Sequence, residues 1–331
     1  MAGRRRKKSG GRSYAWRYRG RIVACVFVEV IIICALVIMI GWNKGVKEWF
    51  EQFEQPVLKE VDISGINSPN AILMQARGGK ILGEINGEAQ IYPASMTKIM
   101  TVILGIENFD DLDEKITLTN EMFTGLYEQD ATQAGFQPGE EVRVIDLLYG
   151  AMLPSGAECC IALADTISGS EADFAELMNK KARKLGMENT QICDSTGLHN
   201  PDHYSTVKDI AVLMKYCIKN DTFREIVETS RHSTGVTNIH PDGITYYSTM
   251  FKNLSDPTVT GGKILGGKTG YTSEAGHCLV SFAEIEGREY IFVSAGASGA
   301  DGNTIPHIQD AVTVYNRVGA AIEAKMNDNN K

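Results

Sequence analysis

Between Pro93 and Ile106 the chain reads Pro-Ala-Ser-Met-Thr-Lys and then Ile-Met-Thr-Val-Ile-Leu-Gly-Ile. A helix of this composition is apolar on nearly every side, so it has to be buried all round. Pro93 suits its entry, because the ring fixes a helical φ and the missing N–H would be unpaired there anyway. Ser95 and Lys98 are three residues apart and share one face, one turn from each other. A polar pair at the tip of a buried helix is better explained by chemistry than by packing.

A serine hydroxyl is a weak nucleophile until a neighbouring base takes its proton. Lysine serves as that base only if its pKa falls from about 10.4 toward about 7–8. A depression of that size costs roughly 4 kcal/mol. Burial, a second cation and the positive end of a helix all push in that direction. Free backbone N–H groups at the helix start can also stabilise an oxyanion. The spacing alone is weak, because a second copy exists at Ser205 and Lys208. That copy reads as an ordinary cap region opening the amphipathic helix Val207–Cys217.

The N-terminus carries nine Lys/Arg within residues 1–21 and no Asp or Glu. Ile22 to Trp42 is then almost unbroken Ile, Val, Ala, Leu, Met and Cys. A helix of that length rises about 31 Å and spans a bilayer core. The basic flank stays cytoplasmic, which places everything after Trp42 outside. A cleaved signal peptide would have a shorter apolar region and a small-residue cleavage site. Gly41-Trp42-Asn43-Lys44 offers none, so an uncleaved anchor is expected, with Glu29 as an oddity inside it. In the stretch 43–62, Val46, Trp49, Phe50 and Phe53 recur at helical spacing up to Pro56. It fits equally a helix on the membrane surface and one packed on the outer domain.

Without the nine basic residues the net charge drops from −8 to −17, which argues against nucleic-acid binding. Five cysteines lie beyond the span (Cys159, Cys160, Cys193, Cys217, Cys278), an odd number with no metal-type spacing. Cys159, Cys160 and Cys217 fall in helical patterns and Cys278 in a strand pattern, as buried small hydrophobes do. His199 and His203 flank Pro201, which forbids one continuous helix face, so they do not read as a zinc pair.

In the outer domain, 71–75 and 81–82 read as strands around a glycine turn. Residues 110–136 are polar and irregular. Helices are expected over 144–153, 159–167, 171–185 (closed by Gly186), 207–217 and 221–227. The stretch 231–262 is rich in turns. Lys268-Thr269-Gly270 precedes strand-like runs at 278–283 and 290–295, and 308–322 closes the chain as a helix. Strands at both ends and helices between them indicate an α+β arrangement, an antiparallel sheet with a helical insertion.

Ser-x-x-Lys at a helix start, a second serine motif at Ser155 and Lys-Thr-Gly before a strand, in that order, resemble the penicillin-recognising serine acyltransferases. Within that group the chain is similar to D-alanyl-D-alanine carboxypeptidases. Glu140 to Gly150, Met178 to Ala182, Leu185-Gly186-Met187, Ser195 to Leu198 and His203 to Thr206 carry that likeness, over roughly residues 60–325. The resemblance implies a penicillin-binding, β-lactamase-like transpeptidase fold with a helical subdomain. It implies Ser95 as acylated nucleophile, Lys98 as its base and Ser155 as proton relay. Lys268 and Thr269 would bind the substrate's terminal carboxylate, and Gly270 would let its backbone lie close. Backbone N–H groups of Ser95 and Tyr271 would form the oxyanion hole. The implied reaction removes the terminal D-Ala from peptidoglycan pentapeptide stems, β-lactams would acylate Ser95 as mimics, and no metal or organic cofactor is implied. The chain then divides into a basic cytoplasmic tail (1–21), a transmembrane signal anchor (22–42), a juxtamembrane stalk (43–62), a catalytic domain (63–325) and a polar tail (326–331).

Two features depart from the family's pattern. Ala157 stands where the second motif usually has Asn; losing that side chain costs roughly 1–1.5 kcal/mol if neutral and up to about 3 if charge-assisted. No further domain or amphipathic anchor follows the last helix, so the N-terminal span would do the anchoring. A β-lactamase would need a carboxylate for its deacylating water, and the stretch Glu176-Leu177-Met178-Asn179 is one residue too short for Glu-x-x-Leu-Asn. A cross-link endopeptidase is the same reaction with another leaving group. A degenerate membrane-bound sensor is favoured only by Ala157.

Overall fold

A computed structural model describes residues 58–299 and 305–329, together with the single residue Val30. The chain opens with β1 (Asn70–Gln75) and β2 (Ile81–Ile85), then a 3-10 turn (Ala94–Thr97) that runs into α1 (Lys98–Asn108). β3 (Lys115–Thr117) and β4 (Glu141–Arg143) form a small ribbon, followed by α2 (Val144–Met152), α3 (Ala157–Ser168) and α4 (Glu171–Leu185). Next come α5 (Val207–Cys217), α6 (Asp221–Glu228), a short hairpin of β5 (Arg231–Ser233) and β6 (Thr245–Tyr247), and α7 (Thr249–Asn253). The chain closes with β7 (Thr258–Val259), β8 (Gly262–Thr272), β9 (Gly276–Ile285), β10 (Arg288–Ala297) and α8 (Pro306–Asn329).

The main sheet is antiparallel throughout, in the order β2-β1-β10-β9-β8-β7. β1 therefore lies beside β10, so the early and late strands share one sheet, as the sequence predicts for an α+β chain. Both faces are buried. Ile72, Met74, Val280, Phe282, Ile291 and Val293 face a core shared with α1 and α5. Leu73, Leu279, Ile285 and Phe292 face a second core covered by Ile308, Val314, Tyr315 and Val318 of α8. Period-2 alternation thus sorts apolar residues into two cores instead of into core and solvent.

In α1 every residue from Lys98 to Gly105 is buried, as its all-round apolar character demands. α4 and α5 end where the sequence says, because their signals are local. Ser170 caps α4 through the Asp173 N–H at 3.1 Å, and Gly186 closes it at φ +81°. Thr206, one residue past Ser205, caps α5 through Asp209 N–H.

Several boundaries move. Lys268-Thr269-Gly270 lies within β8 and not ahead of a strand, since the run Gly262–Thr272 pairs along β9. Leu58 and Val61 are buried in the second core, so residues from 58 onward pack with the domain and not with a stalk. α8 continues through Asn329, because its polar end keeps helical spacing beyond Ile322. Within the turn-rich 231–262, side-chain contacts support β5, β6 and α7. Among the described residues no helix is long and apolar enough to cross a membrane. Apart from Val30, the apolar run 22–42, with Glu29, and most of the 43–62 stretch lie outside the described residues.

Candidate active site

Ser95 sits in the 3-10 turn just ahead of α1, so the first turn is tighter than the α-helical one the sequence suggests. Ala94 beside it takes φ +48°, a conformation that side chains with a Cβ rarely adopt. The turn is held from outside. Gly197 packs so closely that a Cβ there would lie 2.0 Å from the Ala94 carbonyl oxygen. Ser155 has φ +73°, and its flanks are fixed by Gly156 N–H on Gly150 O and Ala157 N–H on Thr132 O, each 2.8 Å. Strain of about 1–3 kcal/mol per residue persists only where the surroundings over-determine it, and it gathers at functional sites.

These turns bring four predicted residues into one chain of contacts. Lys98 Nζ donates to Ser95 Oγ at 3.0 Å. Ser155 Oγ donates to Ser95 Oγ at 3.0 Å, and Lys268 Nζ donates to Ser155 Oγ at 3.0 Å. Ser155 is not a helix cap; Gly156 occupies that position in α3, leaving the hydroxyl for Ser95. Lys98 also donates to Thr196 O at 2.6 Å, and Lys268 to Thr269 O at 2.9 Å. Thr269 Oγ1 shares a 2.7 Å hydrogen bond with Thr249 Oγ1. A Cβ on Gly270 would come 2.9 Å from the Ser95 nitrogen, so β8 runs hard against the nucleophile turn. Tyr271 follows at the end of β8; the residue is 60% exposed and its ring lies on His277, outside the cluster.

Among the described residues neither lysine touches a carboxylate. Lys98 and Lys268 are both buried, and burial pushes both pKa values down. Lys98 lowers Lys268 further by like-charge repulsion. Around Lys98, Cys160 is held to about 12 by burial and so is uncharged at neutral pH. Asp194 and Glu158 are the groups that pull the Lys98 pKa back up. Ala157, the first residue of α3, is buried and adds no polar group.

Sequence reasoning missed the Thr196 carbonyl, Asp194, His203 and Thr249. The stretch Ser195 to Leu198 is noticed for its likeness alone, and a backbone acceptor carries no side-chain signal. His199 packs edge-on against Tyr92, and His203 is buried next to Asp194 and Thr97. Cys159, Cys160, Cys217 and Cys278 are buried free thiols on α3, α5 and β9.

A family model described as D-alanyl-D-alanine carboxypeptidase matches residues 57–299. The chain belongs to the D-alanyl-D-alanine carboxypeptidase family. D-alanyl-D-alanine carboxypeptidase DacF of Bacillus subtilis is 35% identical over 69% of this chain and 57% of its own length. DacC of Escherichia coli is 32% identical over 72% of this chain and 58% of its own. The chain thus spans under three-fifths of these curated relatives. The D-alanyl-D-alanine carboxypeptidase of Streptomyces sp. strain K15 is 34% identical over 69% of this chain and 78% of its own. The crystal structure of the Streptomyces K15 DD-transpeptidase superposes with a TM-score of 0.70 at 29% identity, covering 79% of this chain and all of that one. The fold is therefore the penicillin-binding, α+β fold expected from the motifs.

Proposed function

We propose that this chain is a membrane-anchored serine D,D-carboxypeptidase that removes the terminal D-Ala from peptidoglycan pentapeptide stems through a Ser95 acyl-enzyme. The observation that carries the reading is the contact chain Lys98–Ser95–Ser155–Lys268, each link 3.0 Å, inside a family defined by this activity. Lys98, its pKa lowered by burial, takes the Ser95 proton in its neutral form as Oγ attacks the penultimate D-Ala carbonyl. The Ser95 and Tyr271 amides hold the oxyanion; Gly270, lying against the Ser95 amide, leaves room for the substrate backbone. As the C–N bond breaks, Ser155 passes a proton to the departing D-Ala amine, relayed from the lysines. Lys268 and Thr269 attract the terminal carboxylate, with Thr249 orienting the Thr269 hydroxyl. Water then hydrolyses the Ser95 ester, with Lys98 as base. β-Lactams acylate Ser95 as mimics of the D-Ala-D-Ala terminus. Residues 22–42 anchor the domain outside the membrane with residues 1–21 in the cytoplasm.

The test is release of D-Ala from a diacetylated Lys-D-Ala-D-Ala peptide by the full chain, with Ser95→Ala alongside. Release that vanishes in the variant supports the carboxypeptidase. Penicillin labelling of Ser95 without release points to a cross-link endopeptidase or a sensor, and rapid turnover of the penicilloyl ester to a β-lactamase. The solved Streptomyces relative is called a transpeptidase. Adding a glycine acceptor separates transfer from hydrolysis: a new D-Ala–Gly peptide bond in place of free acid would make transfer the main reaction. Folded protein that shows no release and takes no label sinks the proposal.

A further inference from the structure

Behind Lys98 lies a largely buried network to which the proposed chemistry assigns no part. Asp194 Oδ1 accepts from Thr196 N at 2.7 Å, Thr196 Oγ1 at 2.6 Å and Gly197 N at 2.7 Å. Asp194 Oδ2 lies 3.2 Å from His203 Nδ1, and His203 Nε2 lies 3.0 Å from Thr97 Oγ1. Thr97 sits between Ser95 and Lys98, and both it and His203 are buried.

We propose that Asp194 and His203 are positioning residues for Lys98: they fix the Thr196 carbonyl against its amine and tie that loop to the nucleophile turn through Thr97. The inference rests on the reading of Ser95 and Lys98 as nucleophile and base.

A neutral amine has two N–H donors and one lone pair. To accept the Ser95 proton, the lone pair must face Oγ. Committing one N–H to Thr196 O at 2.6 Å sets the rotation about the last bond of the side chain. That carbonyl is held in turn by Asp194, through its three donors from Thr196 and Gly197. A carboxylate only accepts, so the His203 Nδ1 carries the hydrogen and Nε2 accepts from Thr97 O–H. The Cys193 N–H, 3.5 Å from Nδ1, is a long contact beside it. Lys98 on Thr196 and the Thr97–His203–Asp194 relay therefore both join the loop to the nucleophile segment, beside the Thr101 hydroxyl on Ser195 O at 2.6 Å. The order carboxylate, imidazole, hydroxyl is that of a nucleophilic triad, but Thr97 is buried and its hydroxyl is spent on His203. The relay orients; it does not attack.

Asp194 has a second effect. Its hydrogen bonds to His203 and Thr196 hold its carboxyl at about 2 against the opposing push of burial, so it stays ionised at working pH. The groups acting on Lys98 are Asp194 from the loop, Glu158, Cys159 and Cys160 from α3, and Lys268 from β8. Removing the Asp194 charge takes away one of the attractions that raise the Lys98 pKa.

The experiment measures acylation of the full chain by a fluorescent penicillin from about pH 5 to about pH 10, separating the acylation step from reversible binding. Thr97→Val and His203→Gln are expected to slow acylation about 10- to 100-fold at unchanged reversible binding. Thr97→Ser, which restores the hydroxyl, is expected to restore the rate. Asp194→Asn is expected to move the acid limb of the rate profile to lower pH, since a base with a lower pKa stays neutral further down. Folded Thr97→Val that acylates like wild type overturns the proposal, as does an Asp194→Asn limb that stays in place. Should Asp194→Asn not fold, the Thr97→Val and Thr97→Ser pair decides by itself. Wild-type protein that penicillin never labels overturns the enzyme reading itself, a result distinct from the others.

Discussion

At the scale of single residues, the site is set by what is small and what is dry. Gly270 is small because β8 approaches the Ser95 amide too closely for a Cβ, which would stand 2.9 Å from that nitrogen and 3.1 Å from Ala94 Cβ. Gly270→Ala should still fold, because only one edge of the strand is crowded, yet push the nucleophile turn off its geometry. Acylation by penicillin should drop about 100-fold; a variant labelled at the wild-type rate would show that the close approach does not matter. Lys98 is dry, and its lowered pKa lets it act as base nearer neutrality. Acylation should therefore rise with pH as the neutral amine appears, with a midpoint below the ordinary lysine value of about 10.4. A pH–rate profile of penicillin labelling checks this, and a midpoint at or above that value would exclude Lys98 as a burial-tuned base. Ser95, Lys98, Ser155 and Lys268 were all legible as residue types in order. The contact of Ser95 with Lys98 follows from their spacing, but those of Ser155 with Ser95 and with Lys268 were not legible, because contacts between residues 60 or more apart depend on how separate elements pack.

Among elements, those with local signals were legible and those with distant ones were not. α4 and α5 carry their caps within three residues, Ser170 to Asp173 and Thr206 to Asp209. The β5–β6 hairpin has strands of three residues each, too short for a period-2 pattern to show. What supports it is tertiary. His232 Nε2 meets Asp146 Oδ1 at 3.0 Å, and Tyr149 stacks on His232 with centroids 3.7 Å apart. Beyond the strands, buried Glu140 accepts from Gln137 N at 2.9 Å, Thr237 Oγ1 at 2.6 Å and His240 Nδ1 at 2.8 Å. Truncating such an acceptor strands three donors, each worth about 1–3 kcal/mol when buried and unpaired, less what water recovers. Glu140→Ala should lower the thermal midpoint by about 5–10 °C, at about 2–4 °C per kcal/mol for a domain of this size. A shift under about 2 °C by calorimetry would mean that the hairpin's hold on β4 is dispensable.

For the molecule as a whole, the sheet ties the beginning of the domain to its end, and a buried histidine sits beside the clamp between them. Asp310 on α8 accepts from Asn67 N at 2.8 Å, Ser68 N at 2.9 Å and Ser68 Oγ at 2.6 Å, fixing the approach to β1. One turn before it, His307 is buried, stacks on His277 with centroids 4.9 Å apart, and has no hydrogen-bond partner for Nδ1 among the described residues. Burial first, then repulsion from His277, depress its pKa to about 4, with Asp310 opposing. The neutral ring is thus preferred in the folded state, whereas the unfolded chain protonates at about 6.5. Stability from this group is full above about pH 6.5 and is lost as pH falls to about 4, a change of about 3 kcal/mol. Asp194, held at about 2, loses its contribution only below the ordinary carboxylate range, so the two windows do not overlap. His307→Phe keeps a ring on His277 and removes the proton site. Urea unfolding of the full chain at a series of pH values should show wild-type stability dropping between about pH 6.5 and 4 and the variant staying nearly level there. Parallel curves for the two proteins through that window would place the acid sensitivity elsewhere in the fold.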